Sequence, residues 1–293
     1  MQLSSPRKIL KKFNVLKMIN RIIKLGISIL YYCFYKIISS VFGLAGKKPP
    51  ATFEVLYYHE IYSEHKELFA RQVKDIIRIT EPVGSGFKGQ LSNGKHYVAV
   101  TFDDGFQCLL DNAFPELVQH KIPFTVFMPS AYIGKHPGWI TDTNNPNHNE
   151  TVMTSEQINS LPKNLVTIGS HCVTHPNLNL LKQSDAVKEL VDSRKQLNEI
   201  IDTEVTLLAF PYGEYSKNIV EWSKKAGYVR VFSGLPDPPF SEKFGFLAGR
   251  ISVTPYDWPI EFRLKLRGAY QWLPLAVTVK GTMRKMLRTF NGK

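Results

Sequence analysis

Two adjacent carboxylates, Asp103 and Asp104, end the run Val98–Phe106, VAVTFDDGF. Like charges side by side are costly unless a cation or a shared proton relieves them. A second cluster, Gly169–His175 (GSHCVTH), carries His171 and His175, which face one side if the segment is helical. Imidazole nitrogens suit zinc and other borderline divalent metals. A carboxylate from Asp104 or Asp103 would complete a two-histidine, one-carboxylate set, without the internal Glu of the H-E-x-x-H metallopeptidases. A third cluster, Ala209–Gly213 (AFPYG), is a turn whose backbone N–H groups would suit a developing oxyanion. Each also has a plainer reading. Asp-Asp-Gly and Pro-Tyr-Gly are frequent turns, and a lone His-x-x-x-His is as often structural as metal-binding.

What joins the clusters is their position. Val98, Val100 and Phe102 read as a buried strand running into Asp103. Phe53–Tyr58 (FEVLYY) reads as the first core strand and ends at His59-Glu60. Leu165–Ile168 precedes the histidines, and Val205–Phe210 precedes the Pro-Tyr-Gly turn. In α/β sheets the carboxyl ends of strands are where ligands are handled. Phe124–Met128, Tyr228–Phe232 and Leu247–Val253 read as further strands. Helical spacing is predicted over Phe69–Ile79, Gln107–His120, Asp185–Ile200 and Lys217–Ala226, and Thr154 with Gln157 reads as a capping box. This alternation indicates an α/β fold with a mainly parallel sheet of about seven or eight strands, suited to barrel closure. The loop Ile133–Glu150 is long enough to be functional. Its Trp139 would either stack on a sugar face or pin the loop to the core. Gly84–Gly94 has no dinucleotide-binding pattern.

The chain has 293 residues, 43% of them hydrophobic, and a formal charge of +12 that is unevenly spread. Residues 1–50 hold ten Lys/Arg and no Asp/Glu, and residues 261–293 hold eight against one Glu. The body, 51–260, is mildly acidic, with 24 Asp/Glu against 19 Lys/Arg. A nucleic-acid enzyme would place its basic residues around the site, so no nucleic-acid partner is expected. Basic ends beside an acidic body suit an anionic membrane surface. Arg7, Lys8, Lys11, Lys12, Lys17, Arg21 and Lys24 precede the apolar run Leu25–Tyr35, and with Lys36 included Leu25–Ala45 reaches spanning length. A membrane-surface or anchoring helix is favoured over a cleaved signal and over a helix packed on the domain. Lys47-Lys48-Pro49-Pro50 marks a boundary. Arg263, Lys265, Arg267, Arg284, Lys285 and Arg288, with Trp272, Leu273 and Leu275 between, suit either a basic amphipathic tail at that surface or helices packed on the barrel with a solvated basic face. Cys33, Cys108 and Cys172 are too scattered for a disulfide framework or a cysteine zinc site.

Taken together, the three strand-end motifs resemble the polysaccharide deacetylases, the NodB-like group also called carbohydrate esterase family four. T-F-D-D-G is Thr101–Gly105 unchanged. H-[S/T]-x-x-H matches His171–His175 with Cys172 in the Ser/Thr place, and R-x-P-[Y/F]-G matches Ala209–Gly213 with Ala209 in the arginine place. The likeness spans residues 53–255. It implies a distorted (β/α) barrel of about seven strands and deacetylation of a sugar polymer. By position, Asp103 resembles the general base, Asp104, His171 and His175 the metal ligands, and Tyr212 the oxyanion donor. The implied cofactor is one divalent metal, zinc first, with cobalt or nickel as alternatives.

Three positions depart from the family pattern. Cys172 lacks a bracing hydroxyl. Ala209 lacks the guanidinium that would orient the base, for which Arg250 is the replacement. No histidine follows His175, so the usual general acid is missing. His59 is expected to supply that proton, since the first and last strands of a barrel are neighbours, with Glu60 either orienting its ring or pointed away by strand alternation. The expectation is therefore an anchor segment (1–50), a deacetylase domain (51–260) and a basic tail (261–293). The reaction expected is metal-dependent removal of acetyl groups, N-acetyl before O-acetyl, from a glycan at the cell envelope. The rival is a silent deacetylase-fold protein that binds carbohydrate.

Overall fold

The computed structural model describes residues 6–237 and 245–291, with the side chains of 6–14 and 284–291 outside the described set. The strands are β1 (Thr52–Tyr58), β2 (Glu81–Pro82), β3 (His96–Phe102), β4 (Phe124–Met128), β5 (Val166–Ser170), β6 (Leu207–Ala209), β7 (Arg230–Phe232), β8 (Leu247–Ala248) and β9 (Ile251–Ser252). All pairings are parallel, in the order β8-β7-β6-β5-β4-β3-β1-β9, with β2 beside β3. The run read as one last strand, Leu247–Val253, is two short pieces. β8 pairs with β7 and β9 pairs with β1, and only Gly249 and Arg250 lie between them. This kinked segment joins the two edges of the sheet. Counted as one strand, and with β2 set aside, it makes a barrel of seven walls.

The strands read as near-continuous apolar runs because they are buried on both faces. Alternate residues separate two cores. Phe53, Val55, Ala99, Phe127, Leu207, Ala209 and Phe232 fill the barrel interior. Leu56, Tyr58, Val98, Val100 and Phe102 face the helices. On the first of these faces, Tyr57, Thr101 and Asp103 continue the interior toward the carboxyl ends.

The helices are α1 (Pro6–Leu44), α2 (Lys66–Ile79), α3 (Cys108–Asn112), α4 (Phe114–Gln119), α5 (Ser155–Ser160), α6 (Gln183–Ile200), α7 (Lys217–Lys225), α8 (Pro259–Leu266) and α9 (Leu273–Asn291). The single helix expected over 107–120 is broken at Ala113, where φ is −121°, and Pro115 restarts it in the first turn of α4. The capping box holds: Thr154 Oγ1 accepts from the Gln157 N–H, and Gln157 Oε1 from the Thr154 N–H.

The expected boundary at 260/261 falls inside α8, whose Phe262, Leu264 and Leu266 are buried. Several basic residues of the expected tail are likewise tied to the domain. Arg263 pairs with Asp75 at 2.8 Å, and Lys265 with Asp257 at 2.5 Å. α1 docks on this region: Arg21 Nε donates to Glu261 Oε2 at 2.8 Å, and Trp272 Nε1 to Ser28 Oγ at 2.9 Å. Arg7, Lys8, Lys11, Lys12, Arg284, Lys285 and Arg288 have side chains outside the described residues.

Candidate active site

The clusters at the ends of β1, β3, β5 and β6 converge on one cleft of about 580 Å³. Asp103, Asp104, His171, His175, His59, Tyr212 and Arg250 all line it. Asp104, at φ 68°, leaves β3 in the left-handed region, and Gly105 follows at φ 64°. A Cβ on Gly105 would lie 2.2 Å from Met128 Sδ, so any other residue would have to displace that side chain and adopt the left-handed backbone as well. The histidine segment is not helical, as the four-residue spacing had allowed. It is a turn with Cys172 at φ 64° and His175 at φ 57°, and those left-handed residues bring both rings together. Tyr212 is left-handed too, at φ 59°. Strained non-glycine backbone of this kind costs about 1–3 kcal/mol per residue and clusters at functional sites.

The ligand-type atoms of Asp104, His171 and His175 lie within 4.8 Å of one another. Asp104 Oδ1 is 3.4 Å from His175 Nε2 and 3.8 Å from His171 Nε2. It is buried and has no hydrogen-bond partner among the described residues, a costly state for a carboxylate unless a cation is bound. His171 Nδ1 sits 2.7 Å from the Ala209 carbonyl oxygen and donates to it, which leaves Nε2 free to ligate. Burial lowers His171 to about 4, and burial with the neighbouring His171 lowers His175 to about 2. Both rings are therefore neutral and have lone pairs to give. Burial, with Asp103 beside it, pushes Asp104 up to about 7, and a divalent cation would reverse that. The three residues fit a divalent metal.

Asp103 has the opposite surroundings. Burial would raise it, but Arg250 Nη1 and Nη2 donate to its two carboxylate oxygens at 2.6 and 2.8 Å and hold it at about 2. The guanidinium lies 4.6 Å over the Tyr57 ring and donates to the Ser233 carbonyl and Thr101 Oγ1. Arg250 thus supplies the charge that Ala209 cannot. Ala209 packs inside the barrel and serves through its carbonyl alone. Gly213 follows Tyr212 at φ 66°, where a Cβ would meet Gly234 at 2.4 Å.

His59 is exposed at the cleft, with its ring 5.7 Å from that of Tyr57. The Glu60 carboxylate, expected to orient it, instead accepts from Asn147 Nδ2 at 3.1 Å, and Tyr62 donates to the same Asn147. Trp139 pins its loop by lying on a candidate ligand: it stacks on His175 at 4.7 Å and 24°, with Tyr132 against its edge.

Two supports were not foreseen. Glu189 of α6 accepts from the Val173 and Thr174 N–H groups at 2.7 and 2.9 Å and from Thr174 Oγ1 at 2.6 Å. Ser193, one turn on, donates to the Cys172 carbonyl at 2.9 Å. These brace the loop where Cys172, wholly buried, offers no hydroxyl. Their one sequence signal is the i,i+4 spacing of two polar residues on one face of a helix.

Residues 90–231 match the sequence model of the polysaccharide deacetylase family. This part of the barrel is similar to that family. Its relatives agree. The Bacillus subtilis protein YxkH is 27% identical over 159 residues, covering 54% of this chain and 52% of its own length. The poly-β-1,6-N-acetyl-D-glucosamine N-deacetylase of Staphylococcus aureus MRSA252 is 26% identical over 170 residues, 55% of this chain and 51% of its own. The chain spans about half the length of these relatives. The deacetylase fold itself is shared with IcaB from Ammonifex degensii, with a TM-score of 0.61 at 22% identity over 74% of this chain and 99% of that one.

Proposed function

We propose that this protein hydrolyses the N-acetyl group of N-acetylhexosamine units in a glycan at the cell envelope, with a divalent metal held by Asp104, His171 and His175. The observation that carries this is the division of labour between two neighbouring buried carboxylates. Asp103 is locked by Arg250, while Asp104 turns an unpartnered oxygen toward two neutral imidazoles. A metal bound there, zinc by donor type, would polarise the acetyl carbonyl and acidify a water.

The protein's own groups do the rest. Asp103, ionised and fixed in orientation, takes the proton of the attacking water. The left-handed turn at Tyr212 would offer that residue's backbone N–H to the oxyanion, the Gly213 N–H being taken by the Phe210 carbonyl. His59, at the mouth, gives the departing amine its proton. Trp139 holds the His175 ring in plane. The activity for which the Staphylococcus aureus relative is named supports a glucosamine polymer as the substrate class. We also propose that α1 keeps the enzyme at a membrane: Val15–Leu44 is long and apolar enough for one.

Acetate release from N-acetylglucosamine oligomers tests the chemistry. We expect release that stops on chelation and returns with zinc, cobalt or nickel. His175→Ala should lose the metal by elemental analysis with the fold retained. Metal-independent release, or an unchanged metal content in that variant, would overturn the assignment. Oligomer binding without any release would leave the silent carbohydrate-binding protein as the better reading.

A further inference from the structure

The face that α1 turns away from the domain is apolar along its length. Ile19, Ile23, Leu30, Phe34, Ile37 and Val41 are all exposed, Leu30 to 71% and Ile37 to 64%. At 100° per residue these positions fall on one side of the helix. Arg21, Leu25, Ser28, Tyr32 and Tyr35 fall on the other side, at a spacing of three or four, and face the domain. Two observations bear on how such a helix meets lipid.

The first is that the docked face lies in the middle of the apolar stretch. Ser28 is fully buried and accepts from Trp272, and Leu25, Tyr31 and Tyr32 pack on the core. Arg21, a turn or two away, pairs with Glu261 next to the buried Lys265–Asp257 pair. A bilayer-crossing helix needs about 20 residues surrounded by hydrocarbon. Were α1 to cross as docked, these charged groups would enter the hydrocarbon with it, a costly transfer from water.

The second is that the apolar face continues onto α9. Ile27 of α1 and Leu275, Val279 and Met283 of α9 line one open apolar groove between the two helices. The basic residues lie at the borders of this surface: Lys24 and Lys36 flank the stripe on α1, and Lys280 stands beside the groove. No acidic residue occurs in residues 1–50. Apolar side chains with lysines along the edges complement acyl chains beneath anionic headgroups.

We propose that α1 and α9 together form an in-plane docking surface for an anionic bilayer, and that α1 lies in the interface without crossing it. This rests on the membrane reading above and is independent of the deacetylase chemistry. It also sets the orientation of the cleft. Lys47 and Lys48 lead into the start of β1, whereas Arg21 donates to the Tyr256 carbonyl just beyond β9. α1 therefore runs against the strand direction, with its N-terminal half toward the catalytic end. Laid in the interface, it turns the barrel on its side, so that the cleft opens along the membrane surface toward glycan held there.

The test is a depth series on the full chain, bound to vesicles of phosphatidylethanolamine and phosphatidylglycerol. Cys33 and Cys108 are replaced by Ser, the buried Cys172 is kept, and a nitroxide is attached at Ile19→Cys, Ile23→Cys, Leu30→Cys, Ile37→Cys, Val41→Cys and, on α9, Val279→Cys. All six labels should lie at a similar depth, about 5–10 Å below the headgroups, with binding that weakens as salt rises. A profile deepest at Leu30 that shallows toward Ile19 and Val41 would show a crossing helix and overturn the proposal while sparing the membrane reading. Failure to bind vesicles, with or without self-association through this face, would overturn both. The unsubstituted protein supplies a check free of any folding defect. Its exposed Cys33 should react with a water-soluble maleimide in solution and be protected on vesicles, and equal reactivity in both would count against docking.

Discussion

Burial alone would carry the Asp103 carboxyl above its ordinary value, and the two-pronged contact from Arg250 reverses this, holding it at about 2. The carboxylate is then ionised over any working pH. Arg250→Gln removes the opposing charge and leaves the burial, so the pKa of Asp103 must rise. The acid limb of kcat/KM should move upward by roughly a unit or more, and kcat should fall by ~10²-fold or more, the usual worth of a positioned base. Metal content is measured alongside, and a limb that stayed in place would assign the base elsewhere. His59 calls for a different readout. His59→Ala should lower turnover of N-acetyl substrates ~10²-fold with metal occupancy normal. Hydrolysis of 4-nitrophenyl acetate, whose leaving group needs no proton, should be nearly unchanged. Equal losses on both substrates would mean that His59 is not the acid. The chemistry-bearing residues themselves were legible because Asp-Asp-Gly, His-x-x-x-His and Pro-Tyr-Gly each interrupt an apolar run. Arg250 is legible only as the stand-in for an arginine absent at Ala209. Glu189 is not legible, since a glutamate on an amphipathic helix reads as solvated surface.

Strand ends and turns, more than helices, place the ligands. β5 delivers His171, and a tight turn with two left-handed residues then returns His175 to the same point. Such a turn is held by what accepts its N–H groups, and here that is Glu189 on α6. Glu189→Gln keeps an acceptor and loses the charge, whereas Glu189→Ala leaves two N–H groups and the Thr174 hydroxyl without this partner. We expect metal affinity to fall by about 10-fold for Gln and up to about 100-fold for Ala, as for other groups that orient metal ligands. Competition against a chromophoric chelator would measure it. An Ala variant of full affinity would show that the turn holds itself. The long parallel strands could be read from sequence because burial on both faces makes them continuously apolar. β8 and β9 could not be read as two, because two-residue ladders carry no periodicity. The division between α3 and α4 followed from Pro115, a signal present in the sequence but outweighed by the apolar spacing around it.

At the scale of the whole molecule, the barrel and the N-terminal helix meet through charge as well as apolar contact. Arg21 bonds Glu261 and the Tyr256 carbonyl, and its guanidinium lies 4.4 Å over the Trp258 ring. Glu261 is 9% exposed at its side chain and Arg21 29%, so the pair is screened on one side only. The charge asymmetry of the sequence is the ground for expecting α1 at a membrane, and its exposed apolar stripe is what the docking proposal rests on. The sequence did not reveal that the same helix is tied to α8, because the partners are some 240 residues apart and each reads as an ordinary surface charge. If α1 is structurally part of the domain, removing its tie should be felt by the domain as a whole. Arg21→Gln keeps some hydrogen bonding but leaves Glu261, among the described residues, with only Lys265, at 3.5 Å, as its ion-pair partner. A hydrogen bond to a charged group contributes about 1.5–3 kcal/mol, and the partial exposure of Arg21 brings the expectation to about 1–2 kcal/mol. In a domain of this size that lowers Tm by roughly 2–8 °C. The double variant Arg21→Gln/Glu261→Gln should recover part of the loss, because no uncompensated buried charge remains. Calorimetry in detergent would read both. A Tm unchanged by Arg21→Gln, together with strict additivity in the double variant, would mean that α1 and the barrel are thermodynamically separate and that the contact contributes nothing to the fold.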